Sequence, residues 1–123
     1  MTSDLCLMKP ELRLRHSEDF RRLRRIGRVY RQPMVMMSLC ENHLETNRYG
    51  FITGKRLGNA VRRNRARRIL REIMRNLHPQ LDWGYDILLI AHPSIVGQPF
   101  TQVRRTVVEL CVRACILKGR EVA

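Results

Sequence analysis

The segment RRNRARRILR, at positions 62–71, places six arginines within ten residues. Apolar residues recur through and beyond this segment at the spacing of one helical face: Ala66, Ile69, Leu70, Ile73, Met74 and Leu77. The pattern predicts a folded helix with a buried apolar stripe. At about 100° per residue, the arginines predicted to lie opposite the stripe are Arg67, Arg68, Arg71 and Arg75, with Arg63 and Arg65 beside its N-terminal end. Such a helix is suited to binding phosphates.

The charge balance of the whole chain indicates an anionic partner. The 123 residues carry 24 Lys+Arg against 11 Asp+Glu, a formal net charge of +13, and only Lys9, Lys55 and Lys118 are lysines. Arginine donates to phosphate in a bidentate manner and stacks on bases, whereas lysine acts as a point charge. The three usual partners of a basic surface are nucleic acid, an anionic membrane and an acidic protein.

Length and N-terminal composition predict one domain in the cytoplasm. We expect a flexible arm over residues 1–10, a single domain over 11–118 and a C-terminal tail over 119–123. No apolar run approaches the roughly 20 residues of a membrane-spanning helix. The N-terminus also lacks the basic start and apolar core of a signal peptide.

The cysteines and histidines show no metal-ligand spacing. The cysteines form no CxxC pair: Cys6, Cys40, Cys111 and Cys115. Cys111 and Cys115 lie one helical turn apart, which allows either a contribution to a metal site or two small buried thiols. The second alternative is favoured in a reducing compartment. The histidines are scattered: His16, His43, His78 and His92.

The remaining pattern predicts helix, strands, helix, strand, helix. A first helix is expected from a Ser17 cap to Gly27. A basic turn at 54–59 leads into the arginine helix, which ends before Pro79. Strands are predicted at 29–30, 34–40, 48–53 and 86–91, and a last helix at 100–117. The strand–helix–strand order around the arginine helix indicates a parallel crossover and an α+β sandwich.

The block GFITGKRLGNAVRRNRARRILR, at 50–71, closely resembles the signature of the bacterial ribonuclease P protein component. The segments LRLRHSEDF at 12–20 and YDILLIAHP at 85–93 also resemble that family, so the resemblance covers roughly residues 10–118. It implies an α+β fold of order α-β-β-β-α-β-α, a two-layer sandwich of the ribosomal protein S5 domain 2-like class. Its βαβ crossover would have the rare left hand, against the general right-handed rule.

The resemblance also implies a division of labour in removing the 5′ leader from precursor tRNA. Catalysis would belong to the RNA subunit and its Mg²⁺ ions, and the protein would have no catalytic residue and no metal motif. The positions implied to bind the RNA subunit are Lys55, Arg56, Asn59, Arg63, Asn64, Arg65, Arg67, Arg68 and Arg71. The two asparagines are also suited to capping the helix start.

The surface expected to bind the precursor tRNA leader is less typical of the family. Phe20 matches an aromatic position of the first helix, although a core role is equally open. Arg24 stands where a second aromatic is often found, and Met37 stands where the strand often has tyrosine. Arginine can stack on a base and pair with phosphate, whereas methionine offers only soft apolar contact.

Three other binding functions compete with this interpretation. A ribosomal-type RNA chaperone would bind RNA without assisting cleavage. A DNA-binding protein would place the arginine helix in a major groove, but so many arginines suit phosphates better than base edges. A peripheral membrane protein would need interfacial aromatics, and Trp83 lies beyond the helix end. The sequence therefore predicts neither DNA nor a membrane as the partner.

Overall fold

A computed structural model describes residues 12–118, so the predicted arm at 1–10 and tail at 119–123 lie outside the described residues. The predicted order of helices and strands is confirmed. The elements are α1 (Ser17–Ile26), β1 (Arg28–Arg31), β2 (Val35–Glu41), β3 (Arg48–Ile52), α2 (Ala60–Leu77), β4 (Tyr85–Ala91) and α3 (Phe100–Arg113). The strands form one sheet of order β1-β2-β4-β3, in which β3 and β4 are parallel neighbours and the other pairs are antiparallel. The left hand of the β3–α2–β4 crossover stays a prediction.

The strand register divides the side chains between two faces of the sheet. Residues paired directly across a ladder share a face, and neighbours along a strand alternate. Met37 pairs with Leu89, and both belong to the main core under α2 and α3. Met36 pairs with Ile90 on the opposite face, where Leu88 packs against α1. The sheet therefore separates α1 from α2 and α3: the sheet with α2 and α3 forms the predicted two layers, and α1 adds a third layer on the other face, which the two-layer prediction did not include.

The first helix begins and ends differently from the prediction. Ser17 is already helical, and the N-cap is His16, which makes no capping bond through its side chain. Gly27 ends the helix as predicted, but with extended dihedrals. A Cβ on Gly27 would overlap Leu23 O and Ser38 Oγ. Since the Ser38 hydroxyl donates to Leu23 O at 2.8 Å, glycine allows the helix end to sit directly on β2.

A buried carboxylate fastens α1 to the sheet. Asp86, at the start of β4, has an exposure of 0%. It accepts bonds from Arg22 Nη2, from Asn42 Nδ2 and from both Nε and Nη2 of Arg48, all at 2.9 Å. The hydrogen bond to Asp86 raises the pKa of Arg48. Removing one partner of a buried pair typically costs about 3–5 kcal/mol, so this cluster stabilises the position of α1.

The last helix is shorter than predicted, and Cys111 and Cys115 consequently lie in different environments. It ends at Arg113, and Cys115 follows with a φ of 61°. The Ile116 N–H donates to Cys111 O and the Cys115 N–H to Val112 O, which is the bond pattern of a Schellman C-cap. Cys111 is buried, and burial raises its pKa to about 12. Cys115 is exposed, so the prediction of a buried thiol is right for Cys111 and wrong for Cys115.

Candidate nucleic-acid interface

A basic turn leads directly into α2. Lys55–Leu57 form a single 3-10 turn in which Lys55 and Arg56 are exposed. Gly58 has a φ of 120°, and a Cβ there would lie 2.8 Å from Arg62 Cδ, so both the conformation and the space favour glycine. Asn59 is the N-cap of α2, and its Oδ1 accepts from the Arg62 N–H at 3.0 Å. The capping role predicted as one alternative for Asn59 is therefore confirmed.

The outer surface of α2 carries arginines that nothing in the described chain neutralises. Arg62, Arg65 and Arg68 are exposed. No hydrogen bond or ion pair engages their guanidinium groups within residues 12–118. Arg75 differs, because it pairs with Glu72. The charge available to a polyanion is thus concentrated in the N-terminal half of the helix.

Arg67 lies at the edge of the buried stripe, not opposite it. Its Nη2 donates to Thr53 Oγ1 at 2.7 Å, and its Nη1 donates to Asn64 Oδ1 at 2.9 Å. The helical angle explains this correction, since Arg67 lies about 60° from Leu70 around the helix. Asn64 therefore does not cap the helix, and its Oδ1 already accepts a hydrogen bond from Arg67. It orients the guanidinium of Arg67 beside the end of β3.

Arg63 and Arg71 are half-buried as well. The Nε of Arg63 is buried and has no hydrogen-bond partner within the described residues. Burial lowers the pKa of Arg71, and the neighbouring charges of Arg13 and Arg67 lower it further. Arg71, also predicted to lie opposite the stripe, is therefore at its flank. Among the arginines of the predicted RNA-binding set, Arg65 and Arg68 on α2 and Arg56 in the turn before it are exposed, whereas Arg63, Arg67 and Arg71 are half-buried.

A second candidate surface lies on the face of the sheet that carries α1. Phe20 is half-buried, and a Cβ on Gly50 would lie 2.8 Å from its ring. Half-buried apolar side chains continue along this face beyond the helix: Met36, Ile52 and Ile90. We call this set, with Phe20, the α1-face groove. Arg24 is exposed and follows Phe20 by one helical turn, so it lies on the same side of α1.

Met37 is wrongly assigned to the leader-binding surface. It is 0% exposed and packs in the main core, on the other side of the sheet from Phe20. A shift of one residue along a strand exchanges the two faces, so Met36, and not Met37, is the methionine on the same face of the sheet as Phe20. Because β2 is apolar on both faces, its apolar residues do not show which face contacts α1, but Ser38 does. As the one buried hydroxyl of β2 it marks the α1 face, and Met36 lies two residues before it.

Arg62 is not among the predicted RNA contacts, although it belongs to the arginine run and is exposed.

Within residues 12–118, no helix is long and apolar enough to cross a membrane. The same part of the chain brings together no group of three or more His, Cys, Asp or Glu side chains able to hold a metal ion.

Curated relatives match nearly the whole chain. The ribonuclease P protein component of Chloroflexus aggregans is 41% identical over 115 residues, which cover 93% of this chain and 85% of that protein. The protein of the same name from Roseiflexus sp. is 41% identical over 115 residues, covering 93% of this chain and 94% of that protein. The sequence similarity therefore extends over most of this chain and over most of each of these two proteins, which share one name.

Solved structures show the same architecture. The RNase P protein from Thermotoga maritima superposes with a TM-score of 0.77 at 28% identity, over 82% of this chain and 98% of that one. A mutant RNase P protein from Staphylococcus aureus superposes with a TM-score of 0.85 at 24% identity, over 95% of this chain and 99% of that one. The family model described as Ribonuclease P matches residues 8–115. The chain therefore belongs to the family of ribonuclease P protein components.

Proposed function

We propose that this chain is the protein subunit of ribonuclease P and assists the endonucleolytic removal of the 5′ leader from precursor tRNA. It would bind the catalytic RNA subunit through α2 and the precursor through the α1-face groove. The observation that carries the proposal is the unneutralised arginine surface of α2 in a chain of this family.

The α2 surface has the chemistry of a phosphate-binding interface. Arg62, Arg65 and Arg68 are free to meet a polyanion, and each arginine that neutralises a phosphate releases counterions. Arg67 is held by Thr53 and Asn64, so less side-chain entropy is lost when it makes a contact. The exposed turn with Lys55 and Arg56 extends the same surface.

The α1-face groove is assigned to the leader because extended single-stranded RNA binds by stacking on aromatic side chains and by phosphate contacts. Phe20 supplies the aromatic ring, Met36 takes the place first given to Met37, and Arg24 supplies the positive charge. The partners in this proposal are the catalytic RNA and precursor tRNA.

The chemical step is assigned to the RNA subunit. The proposal places the Mg²⁺ ions of the reaction at the RNA active site. The protein residues bind and orient the two RNAs. A cytoplasmic location is part of the proposal, and the free thiols of Cys40, Cys111 and Cys115 suit a reducing compartment.

The test is reconstitution of the holoenzyme from this chain, its cognate RNA subunit and a precursor tRNA. We expect the protein to lower the Mg²⁺ concentration at which the RNA subunit cleaves the precursor. Cleavage at low Mg²⁺ that is the same with and without the protein, despite RNA binding, would instead favour the alternative of a ribosomal-type RNA chaperone. A protein of the same net charge but unrelated fold is the control for nonspecific charge neutralisation.

A further inference from the structure

One end of the molecule is built from chain segments that are hydrogen-bonded to one another. The Asn42 N–H donates to Gly84 O at 2.8 Å. Asn47 Nδ2 donates to Asp82 O at 2.8 Å, and the Asp82 N–H in turn donates to Ile116 O at 2.7 Å. The parallel strands β3 and β4 both begin at this end, whereas α2 begins beyond the other end of β3. We call it the distal end and define it by the segments 42–47, 78–84 and 114–118.

The distal end exposes two large apolar side chains. Trp83 is 59% exposed and Leu44 is 46% exposed. Their segments are in contact, since a Cβ on Gly84 would lie 3.4 Å from Leu44 O. A groove of about 170 Å³ lies beside Trp83, and its lining includes Pro79 and Leu81. Exposed apolar surface on a hydrogen-bonded framework, with polar groups around it, is typical of a site that contacts another protein.

The charge of the distal end differs from that of the rest of the chain. Its segments contain no arginine, and their acidic and basic side chains apart from histidine are Glu45, Asp82 and Lys118. Within residues 12–118 neither carboxylate makes an ion pair or accepts a hydrogen bond through its side chain. Arg48, at the adjoining start of β3, is already paired with Asp86. A phosphate backbone would meet unpaired carboxylates here, so the distal end suits a cationic protein segment better than RNA.

The ring of Trp83 already contacts one cation. Lys118 Nζ lies 5.4 Å from the ring centroid, which is within the range of a cation–π interaction. Trp83 remains more than half exposed with Lys118 in place, so a further side chain has room to stack on the ring. Glu45 lines the groove beside Trp83, and Asp82 precedes Trp83 in the chain. An arginine that stacks on this ring therefore has a carboxylate close by for an ion pair.

We propose that the distal end is a docking surface for a basic, partly apolar segment of a second protein. An arginine or lysine of that segment stacks on Trp83 and pairs with Glu45 or Asp82, and an apolar side chain enters the groove. The inference goes beyond the proposed function, because α2 and the α1-face groove take no part in this contact. With both RNAs bound as proposed, the distal end is free to contact a protein.

The local charge can be measured at Trp83 directly, because it is the single tryptophan of the chain. Its fluorescence is quenched with caesium ions and with iodide ions, at an ionic strength that screens distant charges. Each quenching constant is divided by that of N-acetyltryptophanamide. We expect the larger ratio for caesium, although the chain has a net charge of +13. A larger ratio for iodide would overturn the proposal.

Binding is measured through Trp83 emission with a short synthetic peptide of arginine, leucine and glycine as the probe. We expect this peptide to bind, and the same peptide with glutamate for arginine not to bind. In Glu45→Gln/Asp82→Asn the affinity should fall on the order of tenfold, as expected for two exposed ion pairs. Glu18→Gln/Glu109→Gln removes the same charge from α1 and α3 and should bind as the wild type does. Thermal unfolding checks that both variants fold, and equal affinity in both would overturn the proposal.

Other occupants of the distal end give different results with acrylamide, a neutral quencher of Trp83. Reduced quenching in the reconstituted holoenzyme would assign this end to RNA. Emission that changes with protein concentration would assign it to a second copy of the chain. Stronger quenching in a chain that ends at Lys118 would assign it to residues 119–123. Each of these results would overturn the proposal, and unchanged accessibility of Trp83 in all three experiments supports it.

Discussion

At the scale of single residues, function follows the direction of each side chain more than its identity. Met36 and Met37 are adjacent and chemically identical, yet one lines the α1-face groove and the other is fully buried under α2 and α3. Arg67 and Arg68 differ in the same way, since one is fixed by Thr53 and the other extends into solvent. Assignments made from residue type alone cannot separate such neighbours.

Substituting the two methionines separately tests this difference. Met37→Ala should lower the free energy of unfolding by about 2–5 kcal/mol, because it leaves a cavity in the main core. In holoenzyme assays at a temperature where the variant is folded, its preference for precursor over mature tRNA should be unchanged. Met36→Ala should do the reverse, with a small effect on urea unfolding and a reduced preference for the precursor. A loss of that preference in Met37→Ala alone would contradict the assignment of faces.

At the scale of elements, the sequence predicts the helices and strands well and their ends less well. The arginine helix, the apolar strand β4 and the turn at 54–59 follow from periodicity and glycines, which are local properties. The end of α3 does not, because Cys115 adopts a positive φ that normally indicates glycine. The N-cap of α1 also differs from the prediction: Ser17 is the predicted cap, and His16 is the N-cap in the structure. The register of β2 depends on contacts with α1 that no single segment reveals.

The contact between α1 and β2 gives a stability prediction. Gly27→Ala should lower the free energy of unfolding by about 1–3 kcal/mol, because its Cβ would meet the backbone of Leu23 and the Ser38 hydroxyl. Gly54→Ala is the matched control, since nothing lies within 4 Å of the Cβ position and its φ is −79°. This variant should be neutral or more stable by a few tenths of a kcal/mol. Urea unfolding of both variants measures the difference, and equal destabilisation would argue against the close packing of α1 on β2.

At the scale of the whole molecule, the two candidate surfaces lie on opposite sides of one sheet. The residues of α2 and of the α1-face groove share no hydrogen bonds or salt bridges within residues 12–118, and the buried Asp86 fastens α1 independently of α2. Sites that share no partners and lie far apart contribute additively to a free energy. The proposed contacts with the RNA subunit and with the leader should therefore be separable.

A double-mutant cycle tests this separation. Arg65→Gln should weaken binding of the RNA subunit and decrease its salt slope by about 0.9, the value for one phosphate contact on a duplex. Phe20→Ala should weaken binding of precursor tRNA more than of mature tRNA. In the double variant, the loss of binding free energy for each RNA should equal that of the corresponding single variant to within about 0.3–0.5 kcal/mol. A larger coupling would show that both residues contact the same RNA segment, and Arg68→Gln provides a second α2 variant for the comparison.

The position of the sheet between α1 and α2 also has a geometric consequence. Each helix with its side chains is about 10–12 Å thick, so the outer surfaces of α1 and α2 are separated by more than about 20 Å of packed protein. With both surfaces occupied as proposed, the protein acts as a rigid spacer between the catalytic RNA and the leader. The distance between the two RNAs is then determined by the thickness of the fold, and changes in surface charge alter affinity without altering that distance.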